Sequence, residues 1–337
     1  MHLPSRPQPP KTRRGGAEWT HAAPSQICHE AENKSQMPYH YSRRLRLNLR
    51  SKFEFFRFRF HFRALGRVHF PAGKSGNVIR GALGRILRDT ASPAAYARLF
   101  EPGSDLGRAP SGLGDWPRPF ILRTEALDGW TVPEGSEFCF DIHIFDRRPA
   151  VLAYFHGAFA QFGDQGIGPG HGRARLERTE HVDLSDRAEP VDGAEPLTLD
   201  LDPHEEAVER VRVRFLSPTE LKSNGVIAPR PEFAILFARL RDRISTLRAL
   251  YGPGPLEIDF RGMGERAAKV RMSHSDVHWE KVERKSGRTG QVHPLGGFTG
   301  SAEYEGDLAE FLPWLRAGRW VGVGRQTVWG KGDVRVD

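Results

Sequence analysis

Cysteine is nearly absent: Cys28 and Cys139 are the two in 337 residues. Two thiols cannot make a disulfide framework or a four-thiolate zinc site, so both read as reduced cytosolic cysteines. No apolar run approaches the ~20 residues of a membrane-spanning helix. The first residues are rich in Pro and Arg without an apolar core, which excludes a signal-peptide pattern. The reading is therefore cytoplasmic, with no membrane partner. No Gly-x-Ser-x-Gly nucleophile turn is present. No His, Cys and carboxylate spacing suggests a metal, so neither metal nor cofactor is expected. His204-Glu205-Glu206 has ligand-type residues, but it sits in an acidic run and reads as solvated.

What the chain has is unevenly placed charge. The formal net charge is +8. Residues 1–52 hold ten Lys/Arg against three acids, and residues 177–209 hold twelve acids against two Arg. A basic body interrupted by an acidic stretch suits a polyanion partner. Residues 1–36 lack apolar periodicity and are expected to be disordered. Met37 is the expected true start, with a basic RNA-contacting tail as the alternative.

Periodicity gives two similar halves. Phe56, Phe58, Phe60 and Phe62 alternate with Arg57, Arg59, His61 and Arg63, which predicts a strand with one aromatic core face and one basic face. A helix is expected from Asn77, its cap, to about Arg88, with Ile79, Leu83, Ile86 and Leu87 inward. Residues 101–119 read as loop. Strands follow near 120–123 and 138–145, then a helix near 151–162. Next come a glycine-rich loop, Gly163 to Arg173, and a strand from Ala174. Residues 186–206, acidic and punctuated by proline, read as a linker. The second half repeats the plan. It has a strand over 210–216, a loop over 217–230 and a helix opened by Pro231 and stopped by Gly252. Strands near 269–272, 278–285 and 298–305 precede a helix over 306–317, in which Pro313 reads as a defect. The last strand carries Val334 and Val336.

Between that helix and strand lies Gly318-Arg-Trp-Val-Gly-Val-Gly-Arg-Gln-Thr-Val-Trp-Gly-Lys-Gly332. Glycines let backbone N–H groups approach an anion, and the cations add charge. Arg319, Gly322, Gly324, Arg325, Thr327, Gly330, Lys331 and Gly332 are therefore candidates for phosphate. The order helix, loop, strand is the reverse of a nucleotide P-loop, which excludes an ATPase reading. The fold expected is α+β: two tandem ferredoxin-like βαββαβ domains with glycine-rich loops. Residues 1–52 form the basic extension, 53–185 the first domain, 186–206 the linker and 207–337 the second domain.

This terminal loop, the preceding Gly297-Phe-Thr-Gly-Ser-Ala-Glu-Tyr-Glu-Gly-Asp-Leu308, and Arg80-Gly-Ala-Leu-Gly-Arg-Ile-Leu87 resemble the RAMP superfamily of CRISPR systems. The likeness is greatest to its pre-crRNA-processing endoribonuclease, the Cas-six family, over roughly residues 54–337. The resemblance implies metal-independent cleavage of CRISPR repeat RNA, in which a 2′-hydroxyl attacks the adjacent phosphate and leaves a 2′,3′-cyclic phosphate and a 5′-hydroxyl. It also implies a catalytic histidine just after the first strand. His69 holds that place, with Lys74 following, and His171 in the first glycine loop is the runner-up. Arg57, Arg59, His61, Arg63 and Arg80 are further RNA candidates, each with an ordinary surface role as the bland reading. The alternative function is a non-catalytic RAMP subunit that holds guide RNA in an interference complex. Partners implied are repeat RNA or crRNA and other CRISPR effector subunits, and a homodimer is left open.

Overall fold

The structure is a computed structural model that describes residues 51–103, 116–148, 150–168, 170–281, 283–285, 292–294 and 296–337. The readings for residues 1–36, Met37 and Cys28 lie outside these residues.

The first half runs β1 (Lys52–Ala64), β2 (Val68–His69), α1 (Ser75–Thr90), α2 (Pro93–Phe100), β3 (Phe120–Arg123), β4 (Thr131–Val132), β5 (Glu137–Ile144), α3 (Ala150–Ala160), α4 (Phe162–Gln165) and β6 (Ala174–Val182). Its sheet order is β3-β5-β1-β6, with antiparallel neighbours. Then come β7 (Ala188–Glu189), β8 (Leu197–Asp200), β9 (Arg210–Thr219), β10 (Lys222–Ser223), β11 (Val226–Ile227), α5 (Phe233–Tyr251), α6 (Phe260–Ala267), β12 (Arg271–Glu280), β13 (Glu283–Lys285), β14 (Val292–Pro294), β15 (Gly297–Glu305), α7 (Leu312–Val321) and β16 (Val334–Val336). The second sheet has the order β12-β15-β9-β16, also antiparallel. In each half the order is second, third, first, fourth strand of a βαββαβ unit, so the expected duplicated ferredoxin-like fold is present.

Two hydrophobic cores result, and β1 feeds both. Phe58, Phe60 and Phe62 point into the first core with Phe140, Phe159 and Phe162. Phe53 and Phe55 lie in the second core, where Phe55 packs 5.6 Å from Trp320. The side-chain period of two puts 53 and 55 on the face opposite 58, 60 and 62. One face of the strand therefore serves its own helices, and the other face's start is buried in the second domain.

Several expectations change. The acidic stretch 186–206 is not a bare linker: β7 pairs with β6, and β8 pairs with β1, setting Leu199 opposite Phe53. Leu197 and Leu199 alternate with Thr198 and Asp200, a strand signal that the acids and prolines mask. Inside the expected loop 101–119, residues 104–115 lie outside the described set, and α2 stands just before it. Helix α1 is capped at Lys74 rather than Asn77. Pro313 is no defect, because α7 starts at Leu312 and the proline lies in its first turn, where no intrahelical N–H bond is lost. The strands expected at 269–272 and 278–285 are largely one strand, β12, continuous through Ser273–Val277, while 283–285 pairs separately with β14.

Candidate active site at the junction of the two domains

The segment between β1 and α1 is pinned on both sides of His69. Val68 and Phe70 are fully buried, and Phe70 packs 5.5 Å from Phe138. Alternation along this short strand turns His69 outward, where it is exposed. Its Nδ1 lies 2.8 Å from the Thr131 hydroxyl on the paired strand β4. Among the described residues, no hydrogen bond engages its Nε2. Lys74, at the N-cap of α1, is also exposed. Behind them the start of α1 is fixed from below. The Ser75 amide donates to Asp128 Oδ1 at 2.9 Å, and the Ser75 hydroxyl donates to the Thr124 carbonyl at 2.9 Å.

The first glycine loop lies against this segment. A Cβ built on Gly172 would come within 2.9 Å of Val68 Cα, and one on Gly168 within 4.0 Å of the His69 carbonyl. The loop is tied down by Arg85, which donates to the carbonyls of Gln165 and Gly166. His171 is exposed at its tip, in a left-handed conformation with φ 47°. The fold thus brings the two histidine-bearing segments together, although 102 residues separate them.

The terminal loop comes from the other domain and is differently used. Its amides are mostly engaged within the protein: those of Gly322, Val323, Arg325, Trp329, Gly330 and Gly332 donate to Gly318, Gly332, Glu220, Gln326, Thr327 and Pro218 carbonyls. Its glycines answer close packing. A Cβ on Gly332 would lie 2.0 Å from the Val323 carbonyl oxygen, and one on Gly324 would lie 2.4 Å from that of Glu220. The open anion cradle expected from sequence is therefore a folded wedge. Gly322, Thr327, Gly330 and Lys331 are buried with it. Lys331 donates from Nζ to the Gly73 carbonyl at 3.0 Å, across the domain junction. Burial pulls its ammonium below the ordinary lysine value, against the raising effect of Asp128, Glu280 and Glu125. Trp329 packs under Arg80, whose guanidinium lies 5.0 Å from that ring and 5.2 Å from Phe100. Arg325 is exposed and pairs at 2.7 Å with the buried Glu220.

The root of the wedge is held by three successive carbonyls at the end of α7. Arg123 donates to that of Arg319, His143 to that of Trp320 and Arg243 to that of Val321. Cations and N–H donors here meet the negative end of the helix dipole. Burial depresses His143 to about 3, which keeps it neutral. Arg319 itself stacks on Trp320 at 4.6 Å and faces Asp186 at 3.8 Å.

The basic face of β1 is not an open strip. Arg57 pairs with Asp141 and Asp186, Arg59 with Asp141, His61 with Glu180, and Arg63 with Glu177 and Glu137. Burial tends to raise the Asp141 carboxyl, but Arg59 and Arg57 outweigh it and hold the group below its usual value. Sequence reasoning saw the cations and missed the carboxylates on β5 and β6 that register opposite them. Thr131, Asp128 and Arg123 were missed as well. The Asp128-Gly129 pair is a turn signal that could have placed β4.

Residues 213–334 match the family of the CRISPR-associated endoribonuclease Cas6. That match falls within the second half of the chain. Residues 53–197 match a second family, described as an N-terminal domain. A Cas6 product complex shares the fold at 17% identity, with a TM-score of 0.54, covering 84% of this chain and 100% of that one. A partial Cas6-RT-Cas1–Cas2 complex shares it at 13% identity, with a TM-score of 0.52, covering 84% of this chain and 46% of that one. Thermus thermophilus Cas6 matches at 18% identity and a TM-score of 0.48, over 84% of this chain and 98% of that one. No curated protein matches. Among the described residues, no helix is long and apolar enough to cross a membrane.

Proposed function

We propose that this protein cleaves CRISPR repeat RNA without a metal ion, by attack of a ribose 2′-hydroxyl on the adjacent phosphate. The 2′-oxygen–phosphorus bond forms and the phosphorus–5′-oxygen bond breaks. The products are a 2′,3′-cyclic phosphate and a 5′-hydroxyl. His69 is the proton-transfer group in this reading. The observation that carries it is the Nδ1–Thr131 contact on an exposed ring whose Nε2 no described residue engages. A hydroxyl can accept from Nδ1–H or donate to bare Nδ1. Thr131 therefore supports either tautomer, so Nε2 can take the 2′ proton or deliver one to the leaving 5′-oxygen. Lys74, exposed on the same segment, supplies positive charge to the phosphorane. His171 stands as the alternative proton carrier from the adjoining loop. RNA is the partner, with other CRISPR proteins as further ones.

The test is incubation of the protein with its repeat RNA in EDTA, with analysis of both product ends. Cyclic phosphate and 5′-hydroxyl ends are expected. A 2′-deoxy substitution at the cut site should abolish the reaction. Binding without any cutting would assign the protein to the non-catalytic, guide-holding class of RAMP subunits. Cutting of the deoxy substrate would reject the mechanism.

A further inference from the structure

The site proposed above leaves one group unexplained: an amino group buried where the two domains meet. Lys331 is 5% exposed. It borders a cavity of about 260 Å³ whose walls include Gly73, Ser75, Asp128, Glu280 and Gly330. An ammonium in such a place is costly unless it is hydrogen-bonded and faces compensating charge. The bond it makes is to the Gly73 carbonyl, at 3.0 Å. Gly73 has φ +66°, immediately precedes Lys74, and ends the segment that begins at His69. A second contact enters at the same point: the Trp329 carbonyl oxygen lies 2.6 Å from where a Cβ on Gly76 would sit. Arg80, one turn along α1, closes the contact over the Trp329 ring.

Resting on the nuclease reading, we propose that Lys331 is a positioning residue. By holding the Gly73 carbonyl, it lets the terminal glycine loop of the second domain brace the segment of the first domain that carries His69 and Lys74. The terminal loop then acts on catalysis through backbone placement and not through grip on RNA. Gly76 is needed for the same reason, since any side chain there would push the loop away from α1. Three carboxylates, Glu125, Asp128 and Glu280, raise the Lys331 ammonium against the lowering effect of burial, so their charge favours its protonated, donating form. Asp128 at the same time caps the helix that follows the braced segment.

Three variants test this: Lys331→Met, Lys331→Arg and Gly76→Ala. Under single turnover on repeat RNA, Lys331→Met and Gly76→Ala should lose about ten- to a hundredfold in rate, the scale of an ångström-sized misplacement. RNA affinity and its salt dependence should stay at the wild-type level. Lys331→Arg keeps a donor for the carbonyl and should recover most of the rate. Amide hydrogen exchange over Val68–Val78 should quicken in Lys331→Met and Gly76→Ala, with α5 unchanged. An unchanged rate overturns the proposal. So does a salt slope flattened by about 0.7 in Lys331→Met, which is the loss of one phosphate contact on single-stranded RNA. If the wild-type protein fails to cut repeat RNA at all, the nuclease reading falls, and hydrogen exchange alone decides the brace: no quickening over Val68–Val78 rejects it.

Discussion

The two glycine-rich loops occupy equivalent places in the two halves, each between the second helical segment and the fourth strand. Their uses differ. The loop around Gly163–Arg173 stays with its own domain, lies on β2 and presents His171 to solvent. The loop around Gly322–Gly332 crosses to the other domain and is largely buried, with most of its amides bonded internally. Glycine content alone does not distinguish an anion cradle from a packing wedge. What distinguishes them is where the amides donate and what a Cβ would strike.

The contrast can be broken by substitution. Gly332→Ala places a methyl 2.0 Å from the Val323 carbonyl oxygen at φ +72°. Backbone would have to move, so a loss on the order of 3 kcal/mol or more is expected in denaturant unfolding. Gly170→Ala meets nothing within 4 Å, and its unfolding midpoint should hardly move. Equal effects at the two positions would dissolve the comparison.

A second test addresses the root of the wedge. His143 is buried, and its folded-state value of about 3 lies below the ordinary 6.5. Below pH 6.5 the unfolded chain binds a proton that the folded chain refuses. Stability contributed by the neutral ring is therefore full above that pH and falls as pH drops toward 3. The expected slope is about 1.4 kcal/mol per pH unit for this single group. His143→Gln should unfold with a shallower acid dependence, measured between pH 6 and 4. An unaltered slope would remove His143 from the account.

The smallest effect separates the loop's own cations. Arg325 is exposed, whereas Lys331 is enclosed. Arg325→Ala should flatten the salt dependence of RNA binding by about 0.7, as expected for one phosphate contact, and Lys331→Met should not. Arg325→Ala also strips the partner from Glu220, so its thermal unfolding should be followed in parallel. A wild-type slope in Arg325→Ala would remove Arg325 from the RNA contacts.

Much of the fold was readable because local pattern and burial agree. The phenylalanine alternation in β1 and the apolar stripe of α5 each face one core. The terminal strand was found the same way. Short elements escaped, although their caps are ordinary. Ser92 accepts from the Ala95 amide ahead of α2, and Asp259 from the Gly262 amide ahead of α6. Both helices are eight residues long, too short to display a clear stripe. The candidate site was half legible. His69 could be placed by its position after the first strand. Its holder Thr131 could not, because the two are joined only through strand pairing. The Lys331–Gly73 bond spans 258 residues, and no local pattern encodes it. Charge misled for a related reason: β1 announces its arginines, while the acids that pair with them come from strands at other places in the sequence.

The central claim is that proton transfer resides on the segment after β1 and not on the glycine loop beside it. Single-turnover cleavage of repeat RNA in EDTA, comparing His69→Ala with His171→Ala at saturating protein, tests it most directly. The account predicts a loss of about 10²-fold or more for His69→Ala with RNA affinity retained, and a rate near wild type for His171→Ala. A wild-type rate in His69→Ala would contradict it, and a large loss in His171→Ala would move the chemistry to the first glycine loop.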